Sequence, residues 1–483
     1  MDTIKGFVKA VWKDGHIEAN LDKADSEAIK ATIARANQVW SKPDERTGSL
    51  ELRRITTRNS RTSSGFAQGV RSDFFELYWA DLTAGSTWDQ FVGWVRYLLF
   101  RTWKNVPKSV RPAWCALWFA SLIVLGLAGV SLIPKDVWAS FMPVWIPQAL
   151  VIGLAAALTA AIHKVAAQTF GRVVRYTRAD PANIAARAAI RERGLNLLRV
   201  IHADGKYDRV ILAGHSLGSM LAYDLLAYFW AEKPDVATVD ENTPAFNLLC
   251  RVEQAAGHLE SVAGGSDAKA ISNARLEYRE AQAGLWKSLA AKSPNKTQDG
   301  SRWLISDFVT FGSPLTHAEF LLASSVDDLK ARQQARELPT APPYREELEP
   351  GTLRRALSSS MLEQQSDAQP PRLMSYYVKQ ESGAGKPVIN SWKIHHAGPF
   401  SVVRWTNVFD PSRYIYKGDL IGGPLSNVFG PAIEDIDLSK VDRLSEGFTH
   451  TSYWSEGQSD KRKKALDEAV NLLNDFAPAK SAE

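Results

Sequence analysis

The chain has 483 residues, well beyond the roughly 100–200 of a typical single domain, so it holds several domains or one domain enlarged by insertions. Its 45% hydrophobic, 23% charged and 10% aromatic residues are a globular composition, which excludes a mostly disordered or collagen-like chain. Fifty-eight basic against 53 acidic residues leave a net charge of +5, too weak for a nucleic-acid footprint, and Cys115 and Cys250 can build neither a disulfide framework nor a metal site.

In chain order, the N-terminus Met1-Asp2-Thr3-Ile4-Lys5-Gly6-Phe7-Val8 lacks the apolar core and cleavage site of a signal peptide. Residues 24–40 read as a helix capped by Asp25 or Ser26, and 50–55 and 74–79 read as strands. Together, 1–83 form the first part of the main domain. Between 84 and 178 the character changes. Trp88, Trp94 and Trp103 with Phe91 and Leu98 suit an interfacial helix or a packed core equally well. Two uncharged runs follow, long enough for transmembrane spans at about 113–133 and 142–162, joined by a short connector at Pro134-Lys135-Asp136. Arg101, Lys104, Lys108 and Arg111 precede the pair and Lys164, Arg172, Arg175 and Arg178 follow it. The expectation is an integral membrane protein with two transmembrane helices and both soluble portions cytoplasmic.

After the hairpin, Asp180-Pro181 opens a helix to about Ile201, 207–213 reads as a buried parallel strand, and Leu217 to about Trp230 as a helix, giving a core segment over 179–232. Residues 233–300 form a helical cap insertion, mostly two helices broken at Gly264-Gly265. The core resumes over 301–479, with strands at 307–311 and 401–406, long polar loops with some short elements across 332–392 and a closing helix near 460–476. Strands alternating with helices argue for a mostly parallel sheet with helices on both faces, interrupted by the membrane hairpin and the cap.

Gly214-His215-Ser216-Leu217-Gly218 fits G-x-S-x-G, where an apolar strand ends and a helix begins. At such a sharp turn small residues let the backbone bend and lift a serine hydroxyl above the sheet edge. Collisions with neighbouring backbone are expected at both Gly214 and Gly218. A serine hydroxyl needs a base. Among nine histidines, His450, in Phe448-Thr449-His450-Thr451-Ser452-Tyr453-Trp454, is the partner implied if the chain resembles α/β-hydrolases with such an elbow, whose order is serine, acid, histidine. The orienting acid falls after the last strand, where Asp410 and Asp419 both stand; Asp435, Asp437 and Asp442 read as surface charges. One oxyanion donor is expected from the backbone N–H of Leu217. No cofactor and no metal are implied: H-E-x-x-H, G-x-x-x-x-G-K and dinucleotide fingerprints do not occur.

The elbow, the strand Phe308-Val309-Thr310-Phe311 running into Gly312-Ser313-Pro314, and the late His450-Thr451-Ser452-Tyr453-Trp454 together resemble lipase-type α/β-hydrolases. The chain also looks like bacterial membrane-anchored α/β-hydrolase-like proteins, which share a stretch like Phe75-Glu76-Leu77-Tyr78-Trp79-Ala80 and a W-x-N-x-x-D segment leading to D-x-I-G-x-P-L. The resemblance implies an α/β-hydrolase-type fold and a serine hydrolase acting on an ester through Ser216, His450 and Asp419, with Asp410 the alternative acid. Attachment to a lipid bilayer makes a lipid or acyl ester the expected substrate. In similar proteins a second oxyanion donor comes from an H-G-I-G-type loop preceding a helix like Met1–Val8, so a start assigned too far downstream is expected. A rival reading is a catalytically impaired membrane scaffold that binds a protein partner through its helical insertion.

Overall fold

A computed structural model of the chain describes residues 2–12, 39–47, 53–57, 70–83, 100–106, 111–134, 137–138, 140, 149–150, 153, 156–157, 176, 181–291, 302–347, 372–380, 389–412, 418–442, 449–455, 458–470 and 472. The chain divides into two compact units: Met1–Tyr78 with Arg191–Ala318 and Asp327–Glu483, and Trp79–Ile190 with Glu319–Val326.

The first unit opens with α1 (Asp2–Val11) and an antiparallel sheet of β1 (Trp40–Pro43), β2 (Arg53–Thr56) and β3 (Asp73–Phe75) in that order. Residues 24–38 of the expected first helix lie outside the described residues, and Trp40 is in strand β1. In the second unit, α2 (Arg111–Ser131) covers most of the first uncharged run. Among the described residues, however, no helix is long and apolar enough to cross a membrane. That overturns the hairpin in the expected fold, with its spans at 113–133 and 142–162, and with it the integral-membrane placement with both soluble portions cytoplasmic. The expectation rested on runs of about 20 uncharged, apolar residues, whereas a span needs that length and apolarity within one unbroken helix. α2 starts at Arg111-Pro112 and interleaves Trp114, Trp118, Ser121, Gly126 and Gly129 with its aliphatic residues. Residues 141–148 and most of 151–162 lie outside the described residues, as do most of the tryptophan-rich residues 88–99.

Helix α3 (Pro181–Ala203) leads to β4 (Val210–His215) and α4 (Leu217–Ala231). After β5 (Thr238–Asp240) come two long helices within the expected insertion, α5 (Pro244–Ala263) and α6 (Ala268–Ala290). Both start where sequence chemistry says they should. Pro244 occupies the first turn of α5, and the Asp267 carboxylate accepts the N–H groups of Lys269 and Ala270 at the head of α6.

The chain then forms β6 (Ile305–Phe311), the pair β7 (Glu346–Glu347) and β8 (Arg372–Leu373), β9 (Ser375–Gln380), β10 (Ile389–Ile394), β11 (Arg404–Phe409), β12 (Glu434–Asp437) and the closing helix α7 (Asp460–Val470). Four strands make a wholly parallel sheet in the order β12-β11-β6-β4. The period-two alternation of a strand distributes their side chains. Val309, Phe311 and Val408 go to a cluster with Leu466, Ala469 and Val11, whereas Phe308 and Trp405 stack with Phe400, and Trp405 also meets Tyr223 of α4. Each fully buried aromatic or aliphatic side chain contributes about 1.5–3 kcal/mol relative to an exposed one.

One local expectation shifts. The strand placed at 401–406 runs Arg404–Phe409, because Pro399–Ser401 is a 3-10 turn. The short elements within the polar region 332–392 are β9, part of β10 and the β7/β8 pair; β10 pairs antiparallel with β5 and β9 and buries Trp392. That pairing joins segments about 150 residues apart, beyond the reach of a local pattern.

Candidate active site

The turn from β4 into α4 places Ser216 in a backbone conformation that side chains rarely adopt, φ 53° and ψ −130°. Strain of this kind persists only where surrounding structure holds it. Here the Ser216 N–H donates to the Phe311 carbonyl at 3.0 Å, and the Ser216 carbonyl accepts from Ser219 N–H at 2.9 Å and Ser219 Oγ at 2.5 Å. Ser219 Oγ in turn meets Ser313 Oγ at 2.6 Å, tying the elbow to the turn after β6. The two glycines differ. A Cβ at Gly214 would lie 2.6 Å from Ser219 Cα, but among the described residues nothing lies within 4 Å of a Cβ at Gly218. The collision expected at Gly218 is therefore not found: that side of the elbow is open.

Ser216 Oγ makes no capping bond to its own helix and lies 2.8 Å from His450 Nε2. On the other side of the ring, His450 Nδ1 is 3.0 Å from both Oδ1 and Oδ2 of Asp419. Asp419 is fully buried, and Ser216 is half-buried. Burial pushes the Asp419 carboxyl up, but the hydrogen bond and charge of His450, with Tyr453 and the Gly422 N–H, outweigh it and hold the group below its ordinary value. The carboxylate thus stays ionised and facing the imidazole.

Asp410 sits beside this group without joining it. Its carbonyl accepts the Asp419 N–H at 2.9 Å, and its side chain receives Arg462 Nη1 of α7 at 3.1 Å. Of the two aspartates, Asp419, the acid implied by the resemblance, meets His450, and the alternative, Asp410, meets Arg462. His215 lies next to Ser216, packed against His450, Tyr453 and Trp454, and its Nε2–H donates to the His450 carbonyl at 2.7 Å. Burial lowers His215 to about 4, with the neighbouring His450 adding to the effect, so it is neutral at ordinary pH and pins the histidine loop.

Three supporting residues escaped the sequence reading. Asn407 of β11 donates through Nδ2 to the Gly423 carbonyl at 2.9 Å and to Asp435 Oδ1 at 2.7 Å, and its Oδ1 accepts from Thr310. Asp435 accepts the Leu425 and Ser426 N–H groups at 2.9 Å each. Asp435 is thus no surface charge: it and Asn407 clamp the loop that carries Asp419. Asp437 likewise caps the turn Leu438–Val441, accepting from Ser439 N–H. Tyr453 donates its phenol proton to Asp419 Oδ2 at 2.7 Å. Gly312, at φ +51°, leaves room for this arrangement, since a Cβ there would lie 2.6 Å from Asp419 Oδ2 and 2.8 Å from Tyr453 Cε2. The W-x-N-x-x-D, F-G-S-P and H-x-x-Y residues carried the only local signal for these roles.

Leu217 stands at the first position of α4 with its N–H at the helix N-terminus, where developing negative charge is favoured. Among the described residues no group of three or more His, Cys, Asp or Glu side chains could hold a metal ion. No family model matches the chain, and no curated protein or solved structure matches it.

Proposed function

We propose that the chain is a serine hydrolase of the lipase and esterase type, acting on an ester through Ser216, His450 and Asp419. The observation that carries this reading is the continuous relay from Ser216 Oγ to His450 Nε2 at 2.8 Å and from His450 Nδ1 to the buried Asp419 carboxylate at 3.0 Å. The Ser216 oxygen attacks the ester carbonyl carbon while its proton passes to His450 Nε2. Asp419 orients the ring and stabilises the imidazolium that forms. The Leu217 N–H faces the oxyanion. His450 then gives the proton to the departing alkoxide, leaving an acyl-serine that water cleaves by the same steps in reverse.

A lipid or acyl ester is the substrate class proposed, with a lipid surface as partner. Supporting this, the second unit exposes Phe119, Leu122, Leu125 and Leu132, apolar area that water disfavours. The test is labelling with a fluorophosphonate, which captures activated serines. Labelling of this chain that disappears in Ser216→Ala, and that long-chain esters suppress better than acetyl esters, is the expected result. No labelling of the folded wild-type chain would remove the hydrolase reading in favour of a partner-binding scaffold.

A further inference from the structure

We propose that Tyr453 is a positioning residue for the candidate triad, holding Asp419 Oδ2 so that carboxylate, imidazole and serine hydroxyl stay aligned. This rests on the hydrolase reading above. Among the described residues, Tyr453 and His450 are the two side chains that donate to Asp419, and Oδ1 also accepts the Ile421 N–H at 2.8 Å. The phenol is buried, 3% exposed, and its ring is edge-on to Phe311 and to His215. Around the same oxygen the backbone closes in: Cβ atoms built on Gly312 and Gly422 would each lie 2.6 Å from Oδ2. A carboxylate held by a second donor cannot swing away from the imidazole, and the donor shares charge that would otherwise fall on His450 alone.

Other titratable groups surround the carboxylate. His317 donates to the Leu420 carbonyl, His215 to the His450 carbonyl, and Asp410 is paired with Arg462. None of these three is a hydrogen-bond donor to the Asp419 carboxylate. Burial, and then the Asp419 charge, push the Tyr453 phenol well above its ordinary value, so it stays protonated and a donor wherever the enzyme would be assayed.

Tyr453→Phe removes the hydroxyl and keeps the ring. Relieved of one donor, Asp419 accepts more strongly from His450. The His450 Nδ1–H resonance of histidine-labelled protein should therefore move downfield, identified by its loss in His450→Gln. Fluorophosphonate labelling should slow roughly tenfold, the loss expected from one hydrogen bond to a charged group, with the acid limb of its pH profile displaced upward. A purely structural tyrosine would lower the thermal midpoint and leave both the resonance and the limb in place, and that result overturns the proposal. Should Tyr453→Phe fail to fold, 3,5-difluorotyrosine at position 453, a stronger donor, must move the resonance upfield; an unmoved resonance overturns the proposal equally. Because the resonance is read without turnover, failure of the wild-type chain to label would sink the hydrolase reading separately.

Discussion

At the residue scale, two aspartates nine positions apart end up beside each other, buried to the same degree, and their partners separate them. Asp419 takes His450 and Tyr453, whereas Asp410 takes Arg462. Substitution should separate them too. Asp419→Asn keeps the shape but removes the charge that orients and stabilises the imidazolium, so labelling of Ser216 should fall by about 10⁴ with the fold intact. Asp410→Asn instead leaves Arg462 buried without its counter-charge, at a cost on the order of 3 kcal/mol, with labelling retained in the folded fraction. Circular dichroism melts beside labelling rates check both, and the reverse pattern would exchange their roles. Ser216, His450 and the pair of candidate acids were legible in the sequence because strand-turn-helix context and chain order are local or ordinal properties. Asn407, Asp435 and Tyr453 were not, because what they do depends on which backbone groups the sheet register brings to them.

At the scale of elements, α5 and α6 are fastened by buried polar contacts rather than by apolar packing alone. Tyr278 and Gln282 of α6 donate to the Phe400 carbonyl at 2.7 and 2.6 Å, and Arg279 donates to the Trp405 carbonyl at 2.8 Å. On α5, Glu253 accepts from Met374 N–H, Ser375 N–H and Ser375 Oγ, with Arg345 3.7 Å away. Burial nevertheless raises the Glu253 carboxyl to about 7, since the nearby guanidinium and donors compensate only partly. A raised folded-state value means the folded protein holds the proton more tightly. The stabilisation is therefore full below the ordinary value of 4.5 and is lost as the pH rises through about 7. Glu253→Gln should flatten the decline in stability between pH 5 and 8, a change on the order of 3 kcal/mol. Denaturant melts of both proteins across that range measure it; identical slopes would rule the assignment out. The two helices α5 and α6 were readable because their N-terminal caps, glycine break and periodicity are local, but the residues that tie them down come from the chain at β9 and β11.

Across the whole molecule, buried histidines set the opposite slope. His202, His215 and His395 are each lowered to about 4, chiefly by burial. The unfolded chain therefore binds more protons than the folded one between about 4 and 6.5, and stability falls as the pH drops through that window. Asp307 adds a second loss further down. Its burial is outweighed by Arg404 and Arg209, which hold it at about 2, so its contribution is present above the ordinary 3.8 and disappears as the pH falls towards 2. With Glu253 acting in the other direction, the thermal midpoint should peak near pH 6.5. A midpoint that is flat from pH 4 to 6.5 would contradict the histidine assignment.

The sequence by itself determined the strand-turn-helix around Ser216, the parallel run of β4 and β6, the paired helices α5 and α6 and the histidine placed to meet the serine. Each follows from periodicity, capping chemistry or order along the chain. Tertiary structure alone decided that Asp410 turns to Arg462 while Asp419 turns to His450, that Asp435 clamps a loop, and how the strands within 332–392 pair, because each depends on contacts between segments tens to hundreds of residues apart. The uncharged runs were the reverse case. A missing charge is visible residue by residue, but crossing a membrane is a property of a whole helix, and no described helix has the length and apolarity together.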